Sequence, residues 1–227
     1  MTPGAQHPDA QPLRSDAERN RGRIIAAART VFGRDGLGAS MASVAREAGV
    51  GIATLFRHFR GKEDLVAAVF ADRMDAYVCT VNESLGASDP WKGFTGFIEA
   101  ICAMQAADRG FADVLTMTFP AAKAMEERRA EAYHGFLQLI ARAKDSGHLR
   151  EDFTSQDLVI LLIANAGVVN FAGDAAPNTW RRFVALLIQS FQAPARGPLP
   201  DPPQDDDLYD AMLRASPAGL TPPAQDT

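Results

Sequence analysis

"AGVGIATLFRHFRGKEDL", Ala48 to Leu65, is the stretch on which the reading of this chain turns. A Gly-Val-Gly turn leads into a short segment in which Ile52, Leu55 and Phe59 recur at i, i+3 and i+7, an apolar stripe that must pack on the helices before it. The remaining face carries Gly51, Ala53, Thr54, Arg57 and His58. Just upstream, Ser40 precedes a helical pattern with Val44, Ala45 and Ala48 on one side, so a first short helix is expected from near Ser40 to Gly49. Counted from Met41, alanine is fifth, glycine ninth, valine tenth and leucine fifteenth. That is the spacing of a helix-turn-helix: a small residue lets two helices approach, a glycine permits the turn, and the later apolar residues anchor the second helix. The alternative is a purely structural helical corner, which would accept a larger residue at Ala45 and a residue other than glycine at position 49.

Charge is divided along the chain in a way that bears on this choice. The net charge is −5. From Arg14 to Lys62, however, ten Lys or Arg face four Asp or Glu, whereas from Ala193 onward two Arg face six Asp. Attraction to phosphate depends on the charge of the contacting face rather than on the total, so an acidic chain with a basic front is compatible with DNA. A solvated charged face explains the same count.

The wider pattern "RGRIIAAARTVFGRDGLGASMASVAREAGVGIATLFRHFRGKEDLVAAVF" resembles the DNA-binding domain of the TetR family of bacterial transcriptional regulators from Arg21 to about Phe70. An amphipathic first helix ends in "FGRDG", Ser40 opens the second helix, "VAREAGV" and "ATLFRHF" follow, and "KEDL" opens a fourth. The resemblance implies a homodimeric repressor that sets its third helix in the major groove of a palindromic double-stranded DNA operator and is released by a small-molecule effector of unknown identity. Gly51 stands where the family commonly has serine or threonine, and Arg57 where an aromatic or polar residue is frequent, so base preference does not carry over.

The candidate DNA contacts are Ser40, Ser43, Gly51, Ala53, Thr54, Phe56, Arg57, His58 and Lys62. Ser40 and Ser43 offer hydroxyls to phosphate, although Ser40 is equally a good N-cap. Thr54 and Arg57 are the expected base readers, since threonine meets a thymine methyl and arginine bonds guanine twice; a solvated Arg57 is the alternative. By resemblance Phe56 and His58 flank phosphate, with Phe56 alternatively part of the core. Lys62 stands just before a helix start, where its charge and the backbone N–H groups of Glu63 and Asp64 together hold a phosphate. Arg14, Arg19, Arg21 and Arg23 read either as a phosphate-tracking arm or as a solvated face.

The expected fold class is all-α: a disordered arm (1–17), a three-helix helix-turn-helix domain (18–66), a helical-bundle ligand-binding and dimerisation domain (67–192) and a disordered Pro/Asp-rich tail (193–227), with a short helix possible from Leu208 to Leu213. In the middle, "WKGFTGFIEAICAMQAAD" and "AAKAMEERRAEAYHGFLQLIARAKDSG" read as helices, and Thr154 with Asp157 forms a near relative of a capping box. "LVILLIANAGVVNFA" is apolar around most of its circumference and must be buried on more than one side. By resemblance it pairs with "NTWRRFVALLIQSF" in a four-helix bundle across a dimer, with Ala164, Gly167, Phe171, Phe183 and Leu187 at the interface; an ordinary core helix in a monomer is the alternative. "AADRGFADVLTM" resembles one subgroup of TetR-like C-terminal domains, and Met104, Asp108, Phe111, Thr116, Tyr133 and His134 are the candidate effector-pocket residues, with Gln105 and Arg109 beside them.

Other classes fit less well. Leu158 to Phe171 is broken by Asn165 and Asn170 and falls short of the roughly 20 residues of a membrane helix. The N-terminus has no apolar signal region, so a cytoplasmic protein without a membrane partner is expected. Cys79 and Cys102 lack C-x-x-C spacing and read as core residues. The four histidines do not reach metal-ligand spacing, and no P-loop, G-x-S-x-G or G-x-G-x-x-G is present, so neither an enzyme nor a cofactor or metal site is expected. A helical protein-binding or scaffolding module without DNA binding is the surviving alternative.

Overall fold

The computed structural model of the chain describes residues 10–216. Within them lie ten α-helices and no strand: α1 (Ala10–Asp35), α2 (Met41–Glu47), α3 (Ile52–His58), α4 (Lys62–Leu85), α5 (Pro90–Ala107), α6 (Arg109–Thr116), α7 (Lys123–Asp145), α8 (Ser155–Ala172), α9 (Thr179–Phe191) and α10 (Asp205–Ala215). The all-α class, with a helix-turn-helix followed by a helical domain, is the architecture observed.

Local sequence explains most boundaries. Ser40 caps α2 by accepting from the Ser43 backbone N–H at 3.1 Å. Asp89 caps α5 ahead of Pro90, whose missing N–H costs nothing in the first turn. Thr154 and Asp157 form a full capping box on α8. Asp108 ends α5 and caps α6, accepting from the Phe111 N–H at 3.1 Å. The sequence reading ended its helix at Asp108 but did not name α6 as a separate element.

The core is continuous from end to end. Phe32 of α1, Phe70 of α4 and Phe111 of α6 stack in a row, with ring centroids 6.4 and 6.2 Å apart, and join the reading head to the body. Gly110 sits where a Cβ would come within 2.7 Å of the Phe70 ring and 3.2 Å of the Phe32 carbonyl, so glycine lets α6 lie directly on α1 and α4. Gly135 does the same for α7 against α4, where a Cβ would run into Val81 Cγ1.

Five expectations need correction. Cys79, expected in the core with Cys102, is exposed on α4, while Cys102 is buried. The apolar stripe of α3 is incomplete: Leu55 and Phe59 are buried but Ile52 is 44% exposed, because it stands in the first turn, beyond the reach of α1 and α2. Helix α1 begins at Ala10, inside the stretch read as a disordered arm; residues 1–9 lie outside the described residues. The tail from Ala193 to Ser216 is docked. Arg150 donates to the Gly197 carbonyl at 2.7 Å, the Leu199 N–H donates to Asp152 at 3.0 Å, and α10 packs on α8. Too apolar-poor to make a core of its own, this segment needs only one already formed. Residues 217–227 lie outside the described residues. Finally, with the turn after it, α8 reaches 21 residues of mean hydropathy 1.8, long and apolar enough to cross a membrane by length and composition. It packs against α5, α6 and α9 within the bundle, with 28% of that window buried.

Candidate nucleic-acid interface and ligand cavity

The turn between α2 and α3 is held from both sides. Gly49 has φ +63°, a left-handed conformation that favours glycine. The Val50 N–H returns to the Ala45 carbonyl at 3.0 Å, and Arg23 of α1 donates to the Ala48 carbonyl at 2.7 Å. Arg21 lies over the Phe59 ring, 5.2 Å from its centroid. Two of the four arginines read either as a phosphate-tracking arm or as a solvated face thus clamp the hairpin onto α1, and Arg19 pairs with Asp16 on the same helix.

Held this way, α3 turns Gly51, Ala53, Phe56 and Arg57 to solvent, with Thr54 and His58 half-buried at its flanks. Phe56 is 50% exposed, so it is not a core residue. Ser40 and Ser43 lie at the start of α2, their hydroxyls 3.0 Å apart. Ser40 is therefore a cap, and any phosphate contact would be additional to that role. Lys62 opens α4 beside Glu63 and Asp64; burial lowers its pKa while the Asp113 carboxylate acts to raise it. Of the nine candidates, Ser40, Gly51, Ala53, Phe56 and Arg57 are exposed and Ser43, Thr54, His58 and Lys62 half-buried. Arg46 and Arg60 were not among them, yet both are exposed there. Their signal was available in the sequence, as the remaining cations between α2 and α4.

Among the described residues, Arg46, Arg57 and Arg60 form no ion pair and are exposed, as are Arg181 and Arg182 on α9, whereas Arg73, Arg128, Arg129 and Arg150 each face a carboxylate. Unpaired cations around an exposed helix, with threonine and an aromatic between them, form a surface for a polyanion.

The reading head is joined to the body by two carboxylates. Asp113 of α6 accepts from the Leu37 N–H in the α1–α2 turn at 2.8 Å. Glu63, buried in the first turn of α4, accepts from the Ala121 N–H at 2.7 Å in the loop between α6 and α7. Burial raises the pKa of both, opposed by those same N–H donors.

That loop also walls a cavity of about 470 Å³ between α4, α6, α7, α8 and α10. Its lining is mainly apolar, with polar groups at Tyr77, Thr118, Tyr133, Ser155 and Gln156 and charged ones at Glu126, Arg129 and Asp206. Tyr77 is pushed up to about 12 by burial, against the lowering effect of Arg129. Arg129 is fixed by Glu126 at 3.1 Å and by the Val114 carbonyl at 2.7 Å, and the Tyr133 hydroxyl lies 3.0 Å from that of Ser155. Of the six expected pocket residues, only Tyr133 lines this cavity. Phe111 is fully buried core, Asp108 caps α6, Thr116 bonds back to the Ala112 carbonyl, and His134 is exposed on the outside of α7. Met104 is half-buried against the core cluster. The expectation followed the α5–α6 stretch, whereas the wall is built largely from α7, α8 and the tail.

A helix-turn-helix with a cationic outer helix, set on a helical body with a ligand-sized cavity, defines a DNA-binding transcription regulator. Residues 24–69 match the family model for bacterial regulatory proteins of the tetR family, and residues 89–191 match the C-terminal domain of SbtR-like transcriptional regulators. The chain belongs to the TetR family. An HTH-type transcriptional regulator of Staphylococcus aureus is 39% identical over 67 residues, 29% of this chain and 36% of the relative, so the chain spans about a third of the length of the curated relatives it matches. The crystal structure of a TetR regulatory protein from Mycobacterium vanbaalenii is 30% identical, covering 80% of this chain and all of that one, with a TM-score of 0.46. The fatty acid degradation regulator FadR from Bacillus halodurans, 18% identical over 86% of this chain and 100% of its own, has a TM-score of 0.57 and the same fold.

Proposed function

We propose that the chain is a repressor that binds a palindromic operator as a homodimer and releases it when a small molecule fills the cavity beside α7. The observation that carries this reading is the group of unpaired cations around α3. Thr54 and Arg57 read base edges, and Lys62, Arg46 and Arg60 hold the backbone on either side.

The dimer follows from α8 and α9. Ile160, Ile163, Gly167 and Phe171 run along one side of α8, and Phe171 is 96% exposed. Leu186 of α9 is 55% exposed. An apolar face of this extent is a protein interface. A second copy fits it, because a two-fold pairing would place α8 and α9 against their equivalents in a four-helix seam. Gly167 and Phe171 are open, while Ala164, Phe183 and Leu187 are half-buried and turn partly inward. The seam is therefore centred on Ile160, Ile163 and Leu186, which the sequence reading did not name.

Release follows from the loop between α6 and α7. One side of it walls the cavity at Thr118, and the other holds the head of α4 through Ala121 and Glu63. A dimer reading a palindrome holds its recognition helices about 34 to 36 Å apart, or a multiple of that, so a shift of this loop changes occupancy of the operator. Selection of bound sequences from random duplex DNA, followed by binding across a salt series, tests the whole reading. A palindromic site bound by a dimer with steep salt dependence is expected, and failure to enrich any duplex would overturn it in favour of a protein-binding helical module.

A further inference from the structure

The C-terminal helix is an unexpected component of the cavity. Leu208, Tyr209 and Met212 of α10 line it opposite α7 and α8. These three recur at i, i+1 and i+4, so one side of a short helix carries the contact. Asp206 and Asp207 stand in the first turn of the helix, where their charge suits its N-terminal dipole. At the far end the Ser216 hydroxyl donates to the Thr118 carbonyl at 3.2 Å, and Ser216 is buried although it lies beyond the last turn. The helix is therefore fixed at its end and apolar at its middle. It reaches the body through a strap of about a dozen residues, tied at Gly197 and Leu199.

Thr118 supplies the second observation. Its side chain is 3% exposed, it lines the cavity, and its hydroxyl has no hydrogen-bond partner. A buried hydroxyl without a partner is costly, and an oxygen on a bound molecule would satisfy it. The residue holding the end of α10 is thus also the residue with an unused donor. With α10 docked the cavity still measures about 470 Å³, within the range of small-molecule sites. The helix forms a wall of the site without filling it.

Resting on the reading of this cavity as the effector site, we propose that α10 is a lid encoded in the chain itself, closing over an uncharged or weakly polar apolar molecule whose oxygen accepts from Thr118. Ligand then enters and leaves when α10 lifts, and a bound ligand holds α10 down.

N-phenyl-1-naphthylamine, an uncharged probe that fluoresces in apolar surroundings, tests the site and its access with the full chain. Val159→Trp, which fills the cavity from α8, should abolish its binding. A chain ending at Gln204 should bind about tenfold more weakly, since one apolar wall is missing, with faster association and faster release. Leu208→Asp combined with Met212→Asp, which undocks the lid in the intact chain, should behave like the truncation. Amide hydrogen exchange over 205–216 should slow when the probe is added to the full chain. Binding that ignores Val159→Trp would overturn the cavity reading and the lid with it. Binding that obeys Val159→Trp but keeps its rates in the truncated and undocked chains would overturn the lid alone. Tighter binding after truncation would make α10 a competitor for the site, which also overturns the lid.

Discussion

Two surfaces of this molecule are left without internal partners, and they differ in kind. On and beside α3 the open groups are Arg46, Arg57 and Arg60, the aromatic Phe56, Ile52 and small residues. On α8 and α9 they are isoleucine, glycine, phenylalanine and leucine, with no charge between Ser155 and Ala172 other than Asp157 in the first turn. Solvation decides what each can meet. A hydrated cation gains by exchanging counterions for phosphates, so its partner is a polyanion and its strength falls with salt. An exposed Phe171 gains only by leaving water, so its partner is another apolar surface and salt matters little. Under the proposed function, the first surface would carry sequence information and the second would fix the distance at which two copies of the first are held.

The largest effect is expected where the apolar surface is converted into the other kind. Ile163→Asp with Phe171→Asp puts an unpaired charge into a closed seam at about 3 to 5 kcal/mol per site, so the chain should sediment as a helical monomer and lose the operator. Gly167→Leu tests the same seam by bulk; nothing lies within 4 Å of a Cβ there, so the subunit should keep its helical content while the dimer separates. A dimer that survives both changes with its original affinity would place the seam elsewhere. Arg57→Ala should cost about 1 to 3 kcal/mol and relax preference at one operator position; equal weakening on every duplex would move Arg57 to the backbone. Ser40→Ala removes the cap of α2 and should lower stability by about 1 kcal/mol, seen as a lower denaturation midpoint, with loss of DNA affinity at unchanged stability pointing to phosphate contact instead. Lys62→Ala should weaken all duplexes alike and reduce the slope of log affinity against log salt by about one, and a loss confined to the operator would refute that role.

The reading head was legible because its constraints are local. Ser40, Ala45, Gly49 and Leu55 each answer to a neighbour a few residues away, so spacing alone identifies them. The long helices were legible for the same reason, through Pro90, Thr154 and Asp157. The cavity was not. Tyr77, Thr118, Tyr133, Leu162 and Met212 come from five separate segments, and nothing local distinguishes Thr118 from a threonine in any loop. The tail was misjudged because composition measures whether a segment can bury itself, and α10 is buried by others. The exposed Ile160 and Ile163 of the proposed seam were passed over because α8 is apolar on all sides, so its outer face gives no periodic contrast with its inner one.

The joint at Asp113 and Glu63 bears on how such a protein diversifies. Each carboxylate grips a backbone N–H, Leu37 in one direction and Ala121 in the other, and asks nothing of the side chains at those positions. Every residue of α3 that would meet a base can then be exchanged without loosening the coupling between head and body. If the chain responds to an effector as proposed, gene duplicates would be free to drift toward new operators while keeping that response, and a head transplanted from a relative should stay under the control of this body so long as its α1–α2 turn offers the same main-chain donor.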